Sequence, residues 1–406
     1  MKVLMFGWEF PPFNTGGLGT ACYGLTKALS KQGINITFVI PTSPKLIKSD
    51  FVNLIVASCT GFLDIKRVSS LLVPYISSKG YDNMYRQRSM TSDKNFGLIY
   101  GQNLFDEVNR YAMKAREIAI NETFDLIHCH DWMTYLAGIE AKKISKKPLI
   151  VQVHATEFDR TGGHPNQAIY DIERMGMHAA DLIIAVSNFT KNKIVEHYGI
   201  NPEKVFVVHN AVEFTSFPDK EDFRIKSQDK IVLFLGRITL QKGPDYFIDA
   251  AKKVLEKEKN IKFIVAGSGD MEAGMIEKAA RLGIAKHVLF TGFLRGDDIN
   301  RAYKMADLYV MPSVSEPFGI TPLEAMRNGT PVIISKQSGV SEVIKNCLKV
   351  DFWDIDEMAS KIIAVLNYNA LHHCLKEHGL IEIKKISWND SAKKCINVYE
   401  RALSKS

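Results

Sequence analysis

Cysteine is sparse in this chain. Its six cysteines, Cys22, Cys59, Cys129, Cys347, Cys374 and Cys395, are dispersed and form no Cys-x-x-Cys pair, so neither a zinc ribbon nor a disulfide framework is suggested. Reduced thiols and a cytoplasmic location are the expectation. Long apolar runs are also missing, since none approaches the ~20 residues of a membrane span. The opening MKVLMFGWEFPP has one lysine and a short apolar run before a charged residue and two prolines, unlike a signal peptide. Charge of one sign is weak: the formal net charge of +7 suits an anionic substrate but is too small and scattered for a nucleic-acid partner. The basic clusters Lys142-Lys143 and Lys146-Lys147 sit beside apolar helical positions and read as a solvated face.

What is present is ordinary globular material, 406 residues with 46% hydrophobic and 24% charged, enough for two domains. Short β-branched or apolar runs alternate with amphipathic helical stretches, the pattern of α/β doubly wound parallel sheets covered by helices. The first series is Val3–Phe6, Ile36–Ile40, Leu126–Cys129, Leu149–Val153, Leu182–Val186 and Val205–Val208. A second runs through Ile231–Leu235, Phe263–Ala266, Val288–Phe290, Leu308–Met311 and Val332–Ile334. Two Rossmann-like domains follow, 1–212 and 231–387. The polar stretch 213–230, with Pro218, is the expected linker. The segment Pro41–Asn95 is irregular and reads as an elaboration of the first domain. A final amphipathic helix of about four turns begins at Trp388 and ends near Ala402.

Five places carry chemistry. Thr15-Gly16-Gly17-Leu18-Gly19 follows the first strand and a Pro-Pro turn and opens the first helix, where backbone N–H groups can approach an anion. It is not G-x-G-x-x-G, and no acidic ribose ligand follows at the usual distance, which disfavours a dinucleotide-dependent dehydrogenase. His154 lies just past the carboxyl end of a buried strand, where ligands of open α/β sheets bind, and His130-Asp131-Trp132 ends the strand before it. In His128-Cys129-His130 the two histidines share one strand face and the cysteine points away, so no metal site is expected. Gly236-Arg237 and Lys242-Gly243 put two cations after the first strand of the second series, able to hold a diphosphate without a metal ion. Glu316-Pro-Phe-Gly-Ile-Thr-Pro-Leu-Glu324 spans a loop and a helix start. Its glycine exposes backbone N–H groups, Thr321 is placed as a cap, and both carboxylates can face one ligand. Gly267-Ser268-Gly269 makes a turn that can border a flat base.

This order of sites resembles retaining glycosyltransferases of the GT-B fold, particularly the glycogen and starch synthase-like group (glycosyl transferases group 1). The most specific parts are the double-glutamate motif with Gly329-Thr-Pro-Val downstream, joined to Gly236-Arg237 and Lys242-Gly243. The resemblance implies two domains facing across a cleft that holds the chemistry, with helix 388–406 crossing back onto the first. Arg237 and Lys242 would hold the diphosphate of a sugar nucleotide and Glu324 its ribose. Phe318, Gly319 and Ile320 would offer backbone donors, with Thr321, Gly16, Gly17, Gly267 and Gly269 also on the donor side. His154 would contact the donor sugar and Glu316 its reacting face; His130, Asp131 and Trp132 are candidates for the acceptor or sugar side.

The activity implied is glucosyl transfer from ADP-glucose or UDP-glucose to an α-1,4-glucan, with retention, no cofactor and no metal. Arg237 and Lys242 would stabilise the leaving diphosphate, making them catalytic together with Glu316 and His154. Two departures stand out: Asn14 occupies a place where many bacterial glycogen synthases have lysine, and Ser338 precedes Gly339 where a second glycine is common. Alternatives of the same class take a small sugar, a sugar phosphate or a lipid as acceptor. Other classes are a sugar-nucleotide epimerase and a silent sugar-nucleotide sensor.

Overall fold

A computed structural model describes residues 1–12, 17–42, 49–57, 104–213 and 229–404. Thr15, Gly16, most of Pro41–Asn95 and nearly all of the expected linker lie outside these residues. The described chain divides into two units, one of 1–160, 164–210 and 388–406, the other of 161–163 and 211–387.

The first unit holds strands β1 (Lys2–Phe6), β2 (Asn35–Ile40), β3 (Asn53–Val56), β4 (Leu126–His130), β5 (Leu149–Val153), β6 (Leu182–Ala185) and β7 (Val205–Val207). They form one sheet in the order β3-β2-β1-β4-β5-β6-β7, every pair parallel. Its helices are α1 (Gly17–Lys31), α2 (Leu104–Asn121), α3 (Trp132–Ser145), α4 (Glu157–Arg160), α5 (Gln167–Ala179) and α6 (Asn188–Tyr198). Because a parallel sheet is covered on both faces, β4 and β5 are buried at every position, the polar side chains of His128, His130 and Gln152 included.

The second unit repeats the plan with β8 (Lys230–Leu235), β9 (Ile261–Ala266), β10 (Val288–Gly292), β11 (Leu308–Met311), β12 (Val332–Ser335) and β13 (Leu348–Val350). Their order is β10-β9-β8-β11-β12-β13, again all parallel. The covering helices are α7 (Pro244–Lys257), α8 (Glu272–Arg281), α9 (Asp297–Met305), α10 (Thr321–Arg327), α11 (Ile355–Asn367) and α12 (Asn369–Ile383).

The last helix, α13 (Trp388–Ser404), belongs to the first unit. Its buried residues Ser391, Ala392, Cys395, Val398, Tyr399 and Ala402 recur at helical spacing, and all but Ser391 join the first core. Ser391 Oγ donates to the His209 carbonyl at 2.7 Å, and Gln32 Nε2 to the Asn389 carbonyl at 2.9 Å. Gly24 on α1 makes room for this helix, since a Cβ there would lie 2.3 Å from the Trp388 indole. Among the described residues no helix is long and apolar enough to cross a membrane.

Candidate functional site

In each sheet the chain reverses its direction of winding once, between β1 and β4 and between β8 and β11. Ligands of open parallel sheets bind beyond the carboxyl ends of the strands at such a point. Each unit carries a polar cluster there.

In the first unit, β4 and β5 are neighbours with His130 opposite Gln152, so His130 and Asp131 leave the sheet beside His154. The register explains the contact: Asp131 Oδ1 accepts the N–H of His154 at 2.6 Å and of Ala155 at 3.4 Å. Asp131 holds φ at 61° although it is not glycine, a conformation costing about 1–3 kcal/mol that persists where surrounding bonds fix it. His130 Nδ1 and His154 Nε2 share a hydrogen bond of 3.0 Å. His128 lies tilted against His130 with ring centroids 4.3 Å apart and bonds Tyr399 of α13 at 2.7 Å. Burial keeps these rings neutral, lowering His128 to about 3 and His130 and His154 below the usual histidine range. Cys129 faces the other way, its sulfur against Gly138 of α3, as strand alternation requires.

The segment after His154 is fixed by a buried ionic network. Arg160 donates to Glu157 at 3.1 Å, to Glu173 at 2.9 Å and to the Ala155 carbonyl at 2.8 Å. Glu173 also accepts from the Tyr198 hydroxyl and, at 3.0 Å, from the Glu157 N–H.

Two places in the first unit depart from the sequence reading. Trp132 opens α3 with its side chain turned into the core, 1% exposed and against Phe105, so its indole offers no face to a sugar. At the start of α1, the Gly19 N–H is taken by Glu9 Oε1 at 3.0 Å, so a resident carboxylate occupies part of the expected anion site. Gly17 is exposed with open space where a Cβ would stand.

In the second unit the loop after β8 carries Arg237 and Lys242. Lys242 Nζ pairs with Glu316 Oε2 at 2.6 Å, and Ser313 Oγ donates to the same oxygen at 3.1 Å. Glu316 is held by its backbone: its N–H donates to the Gln337 carbonyl and its carbonyl accepts from Gly339. Arg237 donates to Gln241 Oε1 at 3.2 Å, and the Gln241 carbonyl accepts from Val314 at 3.0 Å, so the two loops brace each other. Gly319, at φ 99°, turns the chain between Glu316 and α10 in a conformation that L side chains rarely adopt.

Glu324 is half-buried and accepts from the Tyr303 hydroxyl at 3.1 Å. Burial raises its pKa, while Arg327 and that hydrogen bond pull it back. The two motif glutamates therefore have separate partners. Thr321 is not a cap, because its hydroxyl accepts from Tyr309 at 2.8 Å and Ile320 occupies the capping position without a side-chain bond. Gly267 and Gly269 have a packing reason to be glycine. A Cβ on Gly267 would fall 1.8 Å from the Gly236 carbonyl oxygen, and one on Gly269 2.2 Å from that of Ile238.

Sequence reasoning missed Glu9, Gln241, Ser313, Tyr303 and Tyr309. Their signal is weak, since a buried tyrosine reads as core and Glu9 sits in an apolar segment.

Two parallel Rossmann-like sheets in tandem make up the GT-B fold, which solved glycosyltransferases similar to this chain share. The chain belongs to the glycogen and starch synthase-like glycosyltransferases: the starch synthase catalytic domain matches residues 2–208, and glycosyl transferases group 1 matches 216–380. It is 33% identical, over 99% of both chains, to an uncharacterized glycosyltransferase of Methanocaldococcus jannaschii. It is 24% identical to a glycogen synthase of Mycobacterium tuberculosis, over 85% of this chain and 80% of that one. Among solved structures, sucrose-phosphate synthase from Thermosynechococcus elongatus superposes with a TM-score of 0.78 at 17% identity, covering 100% of both chains. The Anabaena HepE protein in complex with UDP and glucose gives 0.71 at 18% identity, over 99% of this chain and 100% of that one.

Proposed function

We propose that the protein transfers glucose from a nucleotide diphosphate glucose to an α-1,4-glucan with retention at the anomeric carbon. The observation that carries this reading is the Lys242–Glu316 pair at the switch point of the second sheet, which joins the two motifs that carry the resemblance to the family. Likeness to a glycogen synthase supports the acceptor, and the UDP and glucose bound by a protein of the same fold support the donor class.

In this reading Lys242 is neutralised by Glu316 until donor arrives, and the diphosphate then supplies the anion for Lys242 and Arg237. Glu324, oriented by Tyr303, accepts from ribose hydroxyls. Backbone N–H groups of Phe318, Gly319 and Ile320 serve the sugar and phosphate, and the turn Gly267–Gly269 borders the base. His154, held by Asp131, contacts a sugar hydroxyl. The glycosidic C–O bond breaks towards an oxocarbenium-like state with the electron pair leaving on the diphosphate. The acceptor hydroxyl enters on the same face, and its proton passes to a phosphate oxygen. Charge grows on the leaving group, so Arg237 and Lys242 act most strongly in the transition state. No metal or cofactor takes part in this scheme.

The test is release of ADP or UDP from a panel of sugar nucleotides with and without glycogen, for wild type, Glu316→Ala and Lys242→Ala. Glycogen-dependent release from ADP-glucose or UDP-glucose is expected, with kcat about 100- to 1000-fold lower for Lys242→Ala, the scale of losing one preorganised charge-stabilising donor. Release that glycogen does not increase would sink the glucan assignment and direct the search to small sugars, sugar phosphates or lipids.

A further inference from the structure

We propose that Cys22, His130 and His154 form a binding site for a thiophilic divalent cation, Zn²⁺ above all, and that a bound ion ties up the side chain of His154. One ligand atom from each of these buried residues lies within 4.8 Å of the other two. Three different elements deliver them: Cys22 from the middle of α1, His130 from the end of β4, and His154 from just past β5. Tetrahedral zinc, with bonds of about 2.3 Å to sulfur and about 2.0–2.1 Å to nitrogen, sets neighbouring ligand atoms about 3.3–3.6 Å apart. Side-chain movements of about an ångström close the set. One thiolate and two imidazoles suit Zn²⁺, whereas Mg²⁺ and Ca²⁺ require oxygen ligands.

The surroundings favour a cation. His130 Nε2 and Asp131 Oδ2 are buried and have no hydrogen-bond partner among the described residues. Burial first, and then the charges of Glu9 and Asp131, push the Cys22 thiol well above its usual range; the same two charges attract a positive ion, and a bound cation takes the place of the thiol proton. Neutral imidazoles, which burial favours here, keep lone pairs available for coordination. On binding, the Cys22 S–H bond breaks as the S–Zn bond forms and the proton passes to solvent. The His130–His154 hydrogen bond is exchanged for two N–Zn bonds, the ring proton it held moving to the other nitrogen of the same imidazole. Competition between the ion and donor rests on the assignment of His154 to the donor sugar; the metal site itself does not.

The full-length reduced protein, with Cys59 and Cys374 replaced by alanine to remove competing thiols, is titrated with Co²⁺ as a spectroscopic probe. One equivalent is expected to bind with a thiolate-to-cobalt charge-transfer band and tetrahedral d–d bands, both abolished by one equivalent of Zn²⁺. Cys22→Ser is expected to lose the charge-transfer band. His154→Ala, which alters the least buried ligand at 7% exposure, is expected to weaken Co²⁺ binding at least tenfold while keeping a cooperative, if lowered, thermal melt, keeping the test open should Cys22→Ser fail to fold. Absence of the band in the parent protein, or its survival in Cys22→Ser, overturns the proposal. Zn²⁺ that binds at Cys22 without lowering turnover leaves the metal site standing and overturns the placement of His154 on the donor.

Discussion

Replacing Arg160 by methionine tests how the segment after His154 is held. The Arg160 side chain is 5% exposed and serves Glu157, Glu173 and the Ala155 carbonyl, so the variant leaves two buried carboxylates and one carbonyl without it. Breaking a buried ion pair from one side costs about 3–5 kcal/mol. Glu173 has an escape, because burial already pushes its pKa up to about 7 against the pull of Arg160 and Tyr198. Without the guanidinium that value rises further, and a carboxylate with a raised folded-state pKa loses its contribution as pH climbs. Near pH 6 Glu173 takes up a proton cheaply and the loss sits at about 3 kcal/mol, the low end of that range. Above pH 7 it grows by about 1.4 kcal/mol per pH unit towards about 5 kcal/mol at pH 8.5. Urea unfolding followed by tryptophan fluorescence measures this in a Trp353→Phe background, because Trp8, Trp132 and Trp388 all lie in the first unit. A second substitution, Glu173→Gln, should restore at least half of the loss at the higher pH. A variant as stable as wild type, or a loss that does not grow with pH, would refute the reasoning.

Two further outcomes are expected. His128, His130 and His154 all have folded-state values below the ordinary histidine pKa, so the unfolded chain binds more protons as pH falls below ~6.5. Stability should fall there by up to about 1.4 kcal/mol per pH unit for each histidine, and His128→Asn should flatten the slope of melting temperature against pH; an unchanged slope would count against it. Gly267→Ala puts a methyl group 1.8 Å from the Gly236 oxygen at φ 142°, costing roughly 1–3 kcal/mol in backbone strain plus 1–3 in overpacking. Calorimetry and equilibrium dialysis with donor should show a lower melting temperature and at least tenfold weaker binding, and a wild-type melt would contradict the close approach.

The central strands were legible because burial on both faces writes them as mostly apolar runs, interrupted only by His128 and His130 in β4 and by Gln152 in β5. The edge strands β3 and β13 were not, being only 4 and 3 residues long, with Asn53 and Lys349 among them. His130, Asp131 and His154 could be found because polar residues at the ends of apolar strands stand out, and strand alternation separated Cys129 from its histidine neighbours. Trp132 followed the same polar pair yet turned inward, since it begins a helix whose first residue faces the core. The hydroxyl of Thr321 found Tyr309, twelve positions back, rather than its own helix backbone, and no local pattern announces such a partner. Glu9 and Cys22 became visible only once topology had folded α1 over the ends of β4 and β5.

The position of α13 has a consequence for synthesis on the ribosome. The first unit begins at residue 1 but takes the interior face of its final helix from 388–406, so Val398, Tyr399 and their neighbours reach it only after the whole second unit has been translated. Until then the nascent first unit exposes the apolar seat of that helix, including the space left by Gly24, and His128 lacks the Tyr399 hydroxyl. Domains ordinarily fold in turn from the N-terminus; here the unit that emerges first is the last to be completed, and the second can be finished while the first still awaits its closing piece.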